Sequence, residues 1–217
     1  MEPFRVHKAV AAPMLQDDID TDSILPVSQM KSSNLDLGKS LFFNKRYLAD
    51  GSENPDFVLN RPEYRNAGIL VARHNFGCGS SREQAVWALV GFPIRCVIAE
   101  SFGDIFYSNS LRVGLLLVTL PREQVIQLGV AVIAAAGKLP MTVDLEKQIV
   151  IGPEGDEYRF SIDEVRRRIL LDALDGVGMT LLRRDKIASF QASDRQSRPW
   201  IYRYGPAAAD CLNPERK

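Results

Sequence analysis

Three short apolar runs dominate the middle of this chain: GILVA at 68–72, RCVIA at 95–99 and LLLVTL at 115–120. Each is strand-length and too continuous for a strand with one wet face. Between the first two, residues 81–90 put Ala85, Val86, Ala88 and Leu89 on one side of a predicted helix. Between the second and third, SFGDIFYSNSL reads as a short helical connection. Strand, helix, strand, helix, strand in so short a span predicts parallel pairing through right-handed crossovers, and hence an α/β fold.

The flanks differ. MTVDL, QIVI and YRFS read as short strands around the turn GPEGDE, a small antiparallel piece. Ser161 and Glu164 have capping-box spacing for a helix from Ile162, and Gly176 is placed to end it. A second helix is predicted near 179–190. Arg166, Arg167 and Arg168 read as one turn of a solvated helix face. Residues 27–67 are turn-rich, with Gly38, Gly51, Pro55 and Pro62. The expected division is a single domain over 1–190 and a polar tail over 191–217.

Lys plus Arg and Asp plus Glu both number 27, and no basic run alternates with aromatics, which argues against nucleic-acid binding. No run reaches membrane-spanning length, and the N-terminal apolar stretch is short and broken by Pro13, unlike a secretory signal. The three cysteines, Cys78, Cys96 and Cys211, are sparse and form no CxxC. A reducing cytoplasm is expected, with no zinc ribbon, self-contained iron–sulfur site or other metal site on this chain.

The first apolar run leads into NFGCGSSREQ at 75–84, and three familiar motifs in this segment and elsewhere in the chain fail, while a hydrolase remains a rival. A dinucleotide loop would need glycine where Arg82 stands. A P-loop at GKS would need glycine at Ser33. A calcium loop on Asp18, Asp20 and Asp22 would need glycine at Ser23 and glutamate at Gln29. A hydrolase would have only His7 and His74 as bases, with Cys78 as a conceivable partner of His74. The loop is physically suited to an anion, either a carboxylate or a phosphate. A strand end entering a helix offers backbone N–H groups and the positive end of the helix dipole, glycines admit close approach, and a guanidinium can grip a carboxylate with two hydrogen bonds. Capping by Ser80 with Glu83, or by Ser81 with Gln84, is the competing explanation, and both can hold at once. The acidic stretch QDDIDTDSILP at 16–26 is open in the same way: Asp20 and Asp22 are ordinary turn formers, and they could equally position Arg82.

DDIDTDSILP (17–26), NPDFVLN (54–60), NFGCGSSRE (75–83), SFGDIFYSNS (101–110) and LDGVGMTL (174–181) occur in that order. Together they resemble the small subunit of 3-isopropylmalate dehydratases, over about residues 4–190. The resemblance implies an aconitase-like swivelling β/β/α domain, a partly parallel sheet with flanking helices. It implies a separate large subunit carrying a [4Fe-4S] cluster, with no cofactor bound by this chain alone. It implies a hydro-lyase of leucine biosynthesis that isomerises 2-isopropylmalate to 3-isopropylmalate. Ser80 then corresponds to the catalytic base, and Ser81, Arg82 and Gly79 to the cradle of a dicarboxylate substrate. Asp20, Asp22 and Glu83 support them, and Val27, Ser28, Gln29 and Met30 occupy the place that chooses the substrate's side group. Exposed apolar surface awaiting the large subunit would favour self-association of the lone chain.

The chain departs from the family pattern in places. Gln84 and Val86 stand where the family carries histidine and proline, so position 84 cannot titrate near neutrality. Val27–Met30 lacks the Lys-x-Phe-Leu-like run, and Leu111, Arg112 and Val113 replace a more polar or aromatic triplet. These differences keep two alternatives open: a paralogous hydro-lyase subunit for another 2-hydroxy diacid such as 2-methylmalate, and a non-catalytic anion-binding subunit.

Overall fold

The computed structural model describes residues 1–31, 36–79 and 82–202. Two four-stranded sheets organise the part up to Leu174. The strands are β1 (Val6–Ala9), β2 (Ala11–Met14), β3 (Ile69–Ala72), β4 (Cys96–Ala99), β5 (Leu116–Thr119), β6 (Met141–Asp144), β7 (Ile149–Ile151) and β8 (Glu157–Arg159). Order β2-β3-β4-β5 is parallel throughout, with Ala11 opposite Ile69, Ile69 opposite Cys96 and Cys96 opposite Leu116. The three apolar runs are therefore adjacent parallel strands. Order β1-β6-β7-β8 is antiparallel, which is the small piece expected from MTVDL, QIVI and YRFS, enlarged by β1. Only Val10 separates β1 from β2, so the chain passes from one sheet to the other there.

The helices are α1 (Thr21–Ile24), α2 (Leu37–Ser40), α3 (Phe43–Arg46), α4 (Glu83–Gly91), α5 (Asp104–Val113), α6 (Arg122–Ala135) and α7 (Glu164–Leu171), followed in a second compact unit by α8 (Gly176–Leu181) and α9 (Arg184–Ser197). Strand alternation divides the core in two. Leu70, Ala72, Val97 and Ala99 face Ala85, Val86, Ala88 and Leu89 of α4. Ile69, Val71, Cys96 and Ile98 face Val125, Leu128 and Val132 of α6 and the inner face of the antiparallel sheet.

Three expectations need correction. Asp163, not the Ser161–Glu164 pair, caps α7, accepting from the N–H groups of Val165 and Arg166 at 3.1 Å. Gly176 does not end that helix, because α7 stops at Leu171 and Gly176 opens α8, capped by Asp175. The helix expected near 179–190 is two helices, α8 and α9, and α9 runs through residue 190. The arginine turn also does more than meet solvent. Arg166 lies 4.7 Å above the Tyr107 ring, and Arg167 donates to the carbonyls of Leu145 and Glu146.

The turn-rich segment is knitted by Arg46, which is buried. Its Nε donates to Asn60 Oδ1 at 3.1 Å, its Nη1 to the Gly38 carbonyl at 3.0 Å, and its guanidinium lies 4.8 Å from the Phe92 ring centroid. Asn60 Nδ2 returns hydrogen bonds to the carbonyls of Arg46 and Asn54. This accounts for Asn60 of NPDFVLN, while the Asn54 side chain donates to the Lys45 carbonyl at 3.0 Å and accepts from Asp56 N–H at 3.1 Å. Arg46→Ala leaves buried acceptors without donors and removes a cation over a ring, so it should cost about 3 kcal/mol. Arg65→Ala, which removes only the exposed pair with Glu53, should cost at most about 1 kcal/mol. Denaturant melts of both variants check the contrast.

Candidate active site at the glycine loop

The glycine loop leaves the carboxyl end of β3, the edge of a parallel sheet where ligands gather. Its backbone is unusual: Asn75, Gly77 and Gly79 have φ of 58°, 75° and 96°. Two neighbouring segments hold it. From the acidic turn, the Ile19 carbonyl accepts from Gly77 N–H at 2.7 Å and Thr21 N–H donates to the Cys78 carbonyl at 2.9 Å. From the turn after β4, Phe76 N–H donates to the Ser101 carbonyl and Gly103 N–H to the Phe76 carbonyl, both at 3.0 Å. Ser101 Oγ accepts from Asn75 N–H at 2.8 Å. The three motifs DDIDTD, NFGCG and SFGD thus meet at one place.

Two glycines make that meeting feasible. A Cβ on Gly77 would fall 2.2 Å from Phe106 Cγ, inside the ring's van der Waals surface. A Cβ on Gly103 would fall 2.6 Å from the Gly77 carbonyl oxygen. Gly79 has room, its nearest neighbour being Asp20 Cβ at 3.6 Å, so its demand is the positive φ.

Asp20 and Asp22 divide their labour. Asp20 caps α1, accepting from Ser23 N–H at 2.6 Å. Asp22, in the first turn of α1, forms an ion pair and hydrogen bond with Arg82. Both sequence readings of the acidic turn therefore apply, one to each aspartate. Arg82 sits at the N-cap of α4 and its side chain is 24% exposed, whereas that of Asp22 is 60% exposed. Glu83 and Gln84 occupy the first turn of α4, both half-buried. Ser80 and Ser81 lie outside the described residues. Val27, Ser28, Gln29 and Met30 form a 3-10 turn directly after buried Pro26. Val27 and Ser28 are exposed, and Met30 packs against the core.

Sequence reasoning missed a charged group at the same sheet edge. Arg73 ends the β3 run, Glu100 the β4 run, and Asp17 follows β2. Arg73 Nε lies 3.4 Å from Asp17 Oδ1 and 3.6 Å from Glu100 Oε1. Asp17 Oδ1 also accepts from His74 N–H, and Asp18 Oδ1 from the Asn75 side-chain amide. The available signal was a charged residue directly after the first two apolar runs, Arg73 and Glu100. Cys78 is not poised as a nucleophile: burial, then the nearby Asp18 and Asp20 carboxylates, push its thiol above the usual range. Burial does the same to Cys96 more strongly. Among the described residues no group of three or more His, Cys, Asp or Glu side chains is gathered to hold a metal ion. Among them, too, no helix is long and apolar enough to cross a membrane.

A family model described as the aconitase C-terminal domain matches residues 1–123, and one described as LeuD_N matches residues 130–164. The small subunit of 3-isopropylmalate dehydratase from Afipia carboxidovorans is 50% identical over 202 residues, covering 93% of this chain and 100% of that protein. The chain belongs to the 3-isopropylmalate dehydratase small-subunit family. The small subunit from Paramagnetospirillum magneticum is 48% identical over the same shares. A crystal structure of 3-isopropylmalate dehydratase from Methanocaldococcus jannaschii superposes with a TM-score of 0.60 at 27% identity, covering 86% of this chain and 99% of that one. Within this small-subunit fold, the stretch matched to the aconitase domain contains the acidic turn, NPDFVLN, the glycine loop and the SFGD turn. The second match contains β6, β7 and β8.

Proposed function

We propose that this chain is the small subunit of a two-subunit 3-isopropylmalate dehydratase. In this reading it works in the cytoplasm and supplies the substrate-gripping and proton-moving half of an active site completed by a large subunit. The observation that carries the reading is the state of Arg82. At the mouth of the glycine loop its guanidinium already holds a carboxylate, that of Asp22, with α4 beginning directly behind it. A group arranged to bind one carboxylate is arranged to bind a substrate's.

The remaining roles belong to the same reading. Asp20 anchors the short helix that carries Asp22, and Asp22 orients Arg82 before substrate arrives. Ser81, Arg82 and the open backbone at Gly79 cradle a substrate carboxylate. Ser80 takes the proton from the carbon beside the hydroxyl-bearing one and returns it when water adds back. A serine is a poor base unless its alkoxide is stabilised, and the N-terminal amides of α4 with the Arg82 charge would do that. Glu83 adds a carboxylate to the first turn of the same helix. The [4Fe-4S] cluster belongs in this reading to the large subunit, where it supplies Lewis-acid chemistry at the substrate hydroxyl.

Arg82→Lys tests the grip. A point charge cannot copy a bidentate hold, so KM should rise about tenfold and kcat fall with it. Steady-state kinetics with saturating large subunit read both constants, and an unchanged KM would separate Arg82 from the substrate. A second reading, a paralogue for a smaller diacid such as 2-methylmalate, draws on the exposed Val27 and Ser28 where family members carry a bulkier run. A methylene-scale change in a pocket is worth about 1–3 kcal/mol of discrimination, so parallel assays on both acids separate the two.

A further inference from the structure

Helix α6 is apolar on more sides than its place in the fold requires. Val125, Leu128 and Val132 enter the core beneath the parallel sheet. Ile126, Val130 and Ile133 point the other way and are 43%, 61% and 53% exposed. A surface helix ordinarily turns charged and polar residues outward, and one that is apolar all round belongs to a buried setting. Ile126 and Val130 line a groove of about 710 Å³ whose far wall is the β7–β8 turn. That wall carries Glu154, Asp156 and Glu157. The stripe continues in the opposite direction. Ile133, one turn beyond Val130, borders a second hollow with Leu15 and Gln16, whose rim carries both Asp56 and Arg61, so the acidic rim is confined to the β7–β8 end. Leu15 and Gln16 lead directly into Asp17, whose carboxylate holds the start of the glycine loop.

We infer that this stripe docks the large subunit, through a patch on that partner made of an apolar ridge flanked by arginine or lysine. The inference rests on the two-subunit reading above and names its interface. An apolar centre with charges confined to the rim is the anatomy of a stable protein interface, and an acidic rim calls for a basic counterpart. Continuity favours the large subunit as occupant over a second copy. A partner that completes the active site must cover the glycine loop, and the stripe runs from that loop's support at Asp17 down the length of α6.

The test is the binding of purified chain to purified large subunit without substrate, with rates read by surface-immobilised binding kinetics and equilibrium affinity and self-association by sedimentation. Val130→Glu should weaken binding about tenfold or more, through faster dissociation. The paired change Glu154→Lys with Asp156→Lys should slow association about tenfold and remove its salt dependence. All three positions are exposed, so the folds should persist, and circular dichroism checks this. If Val130→Glu does not fold, the paired turn variant carries the test alone. At saturating large subunit both variants should recover the parental kcat. Unchanged affinity in the folded variants overturns the inference. So does loss of lone-chain self-association with unchanged large-subunit affinity, which gives the stripe to a second copy. Because affinity is read without substrate, a parental chain that binds but does not turn over isopropylmalate counts against the activity, while the binding data still decide the interface.

Discussion

Ser80→Ala should lower kcat by about a hundred- to ten-thousandfold, the usual contribution of a positioned base. KM, fold and affinity for the large subunit should change little. The expectation joins two independent lines. The family pattern places a base at the first serine of the GSSR segment. The described residues on either side of the two serines are Gly79, whose backbone is left-handed, and Arg82, whose guanidinium is held by Asp22. In the proposed role, a serine alkoxide would need the kind of stabilisation that a helix N-terminus and a cation supply. Removing one oxygen takes away the proton acceptor and leaves the carboxylate grip. The split between kcat and KM is therefore the diagnostic, and near-parental turnover would remove Ser80 from the chemistry.

Gly77→Ala should destabilise the chain by about 3 kcal/mol or more and take activity with it. Two costs add. The φ of 75° is strained for any residue with a Cβ, and that Cβ would lie 2.2 Å from Phe106 Cγ. Phe106 cannot yield easily, since it is 1% exposed and packs edge-on against Phe76. Gly155→Ala separates the two costs. Its φ is 97°, yet nothing lies within 4 Å of the added carbon. It should therefore lose only about 1 kcal/mol, the conformational part. Melting both variants in parallel distinguishes a close approach from a turn that merely favours glycine.

The central sheet was legible because buried parallel strands are written as continuous apolar runs, and 68–72, 95–99 and 115–120 are such runs. Strand β2 was not read, since Pro13 interrupts it. The sheet order explains how proline is tolerated: β2 is the edge strand. Helix α6 was missed for the opposite reason. Its second half, residues 128–135, is apolar on every side and includes Gly129, so no helical period stands out. The glycine gives room to the Leu15 side chain, whose end methyl would lie 2.8 Å from a Cβ there. At the site, the glycine loop pointed to a carboxylate grip at Arg82 and the acidic turn offered Asp20 and Asp22 alike as its partners, of which Asp22 makes the contact. Neither the Arg46–Asn60 network nor the Asp17–Arg73–Glu100 group could be read, because each depends on which distant segments the fold brings together.

The most direct test of the whole account is a dehydration assay. The chain is co-expressed with its large subunit, the cluster is reconstituted without oxygen, and the alkene's ultraviolet absorbance is followed on 3-isopropylmalate and 2-methylmalate in parallel. Faster turnover of isopropylmalate, lost on Ser80→Ala and weakened in KM on Arg82→Lys, is the predicted result. Preference for the smaller acid would contradict the assigned substrate. No turnover of either acid with an intact cluster and a bound large subunit would contradict the assigned chemistry, and would leave a subunit that holds an anion without transforming it.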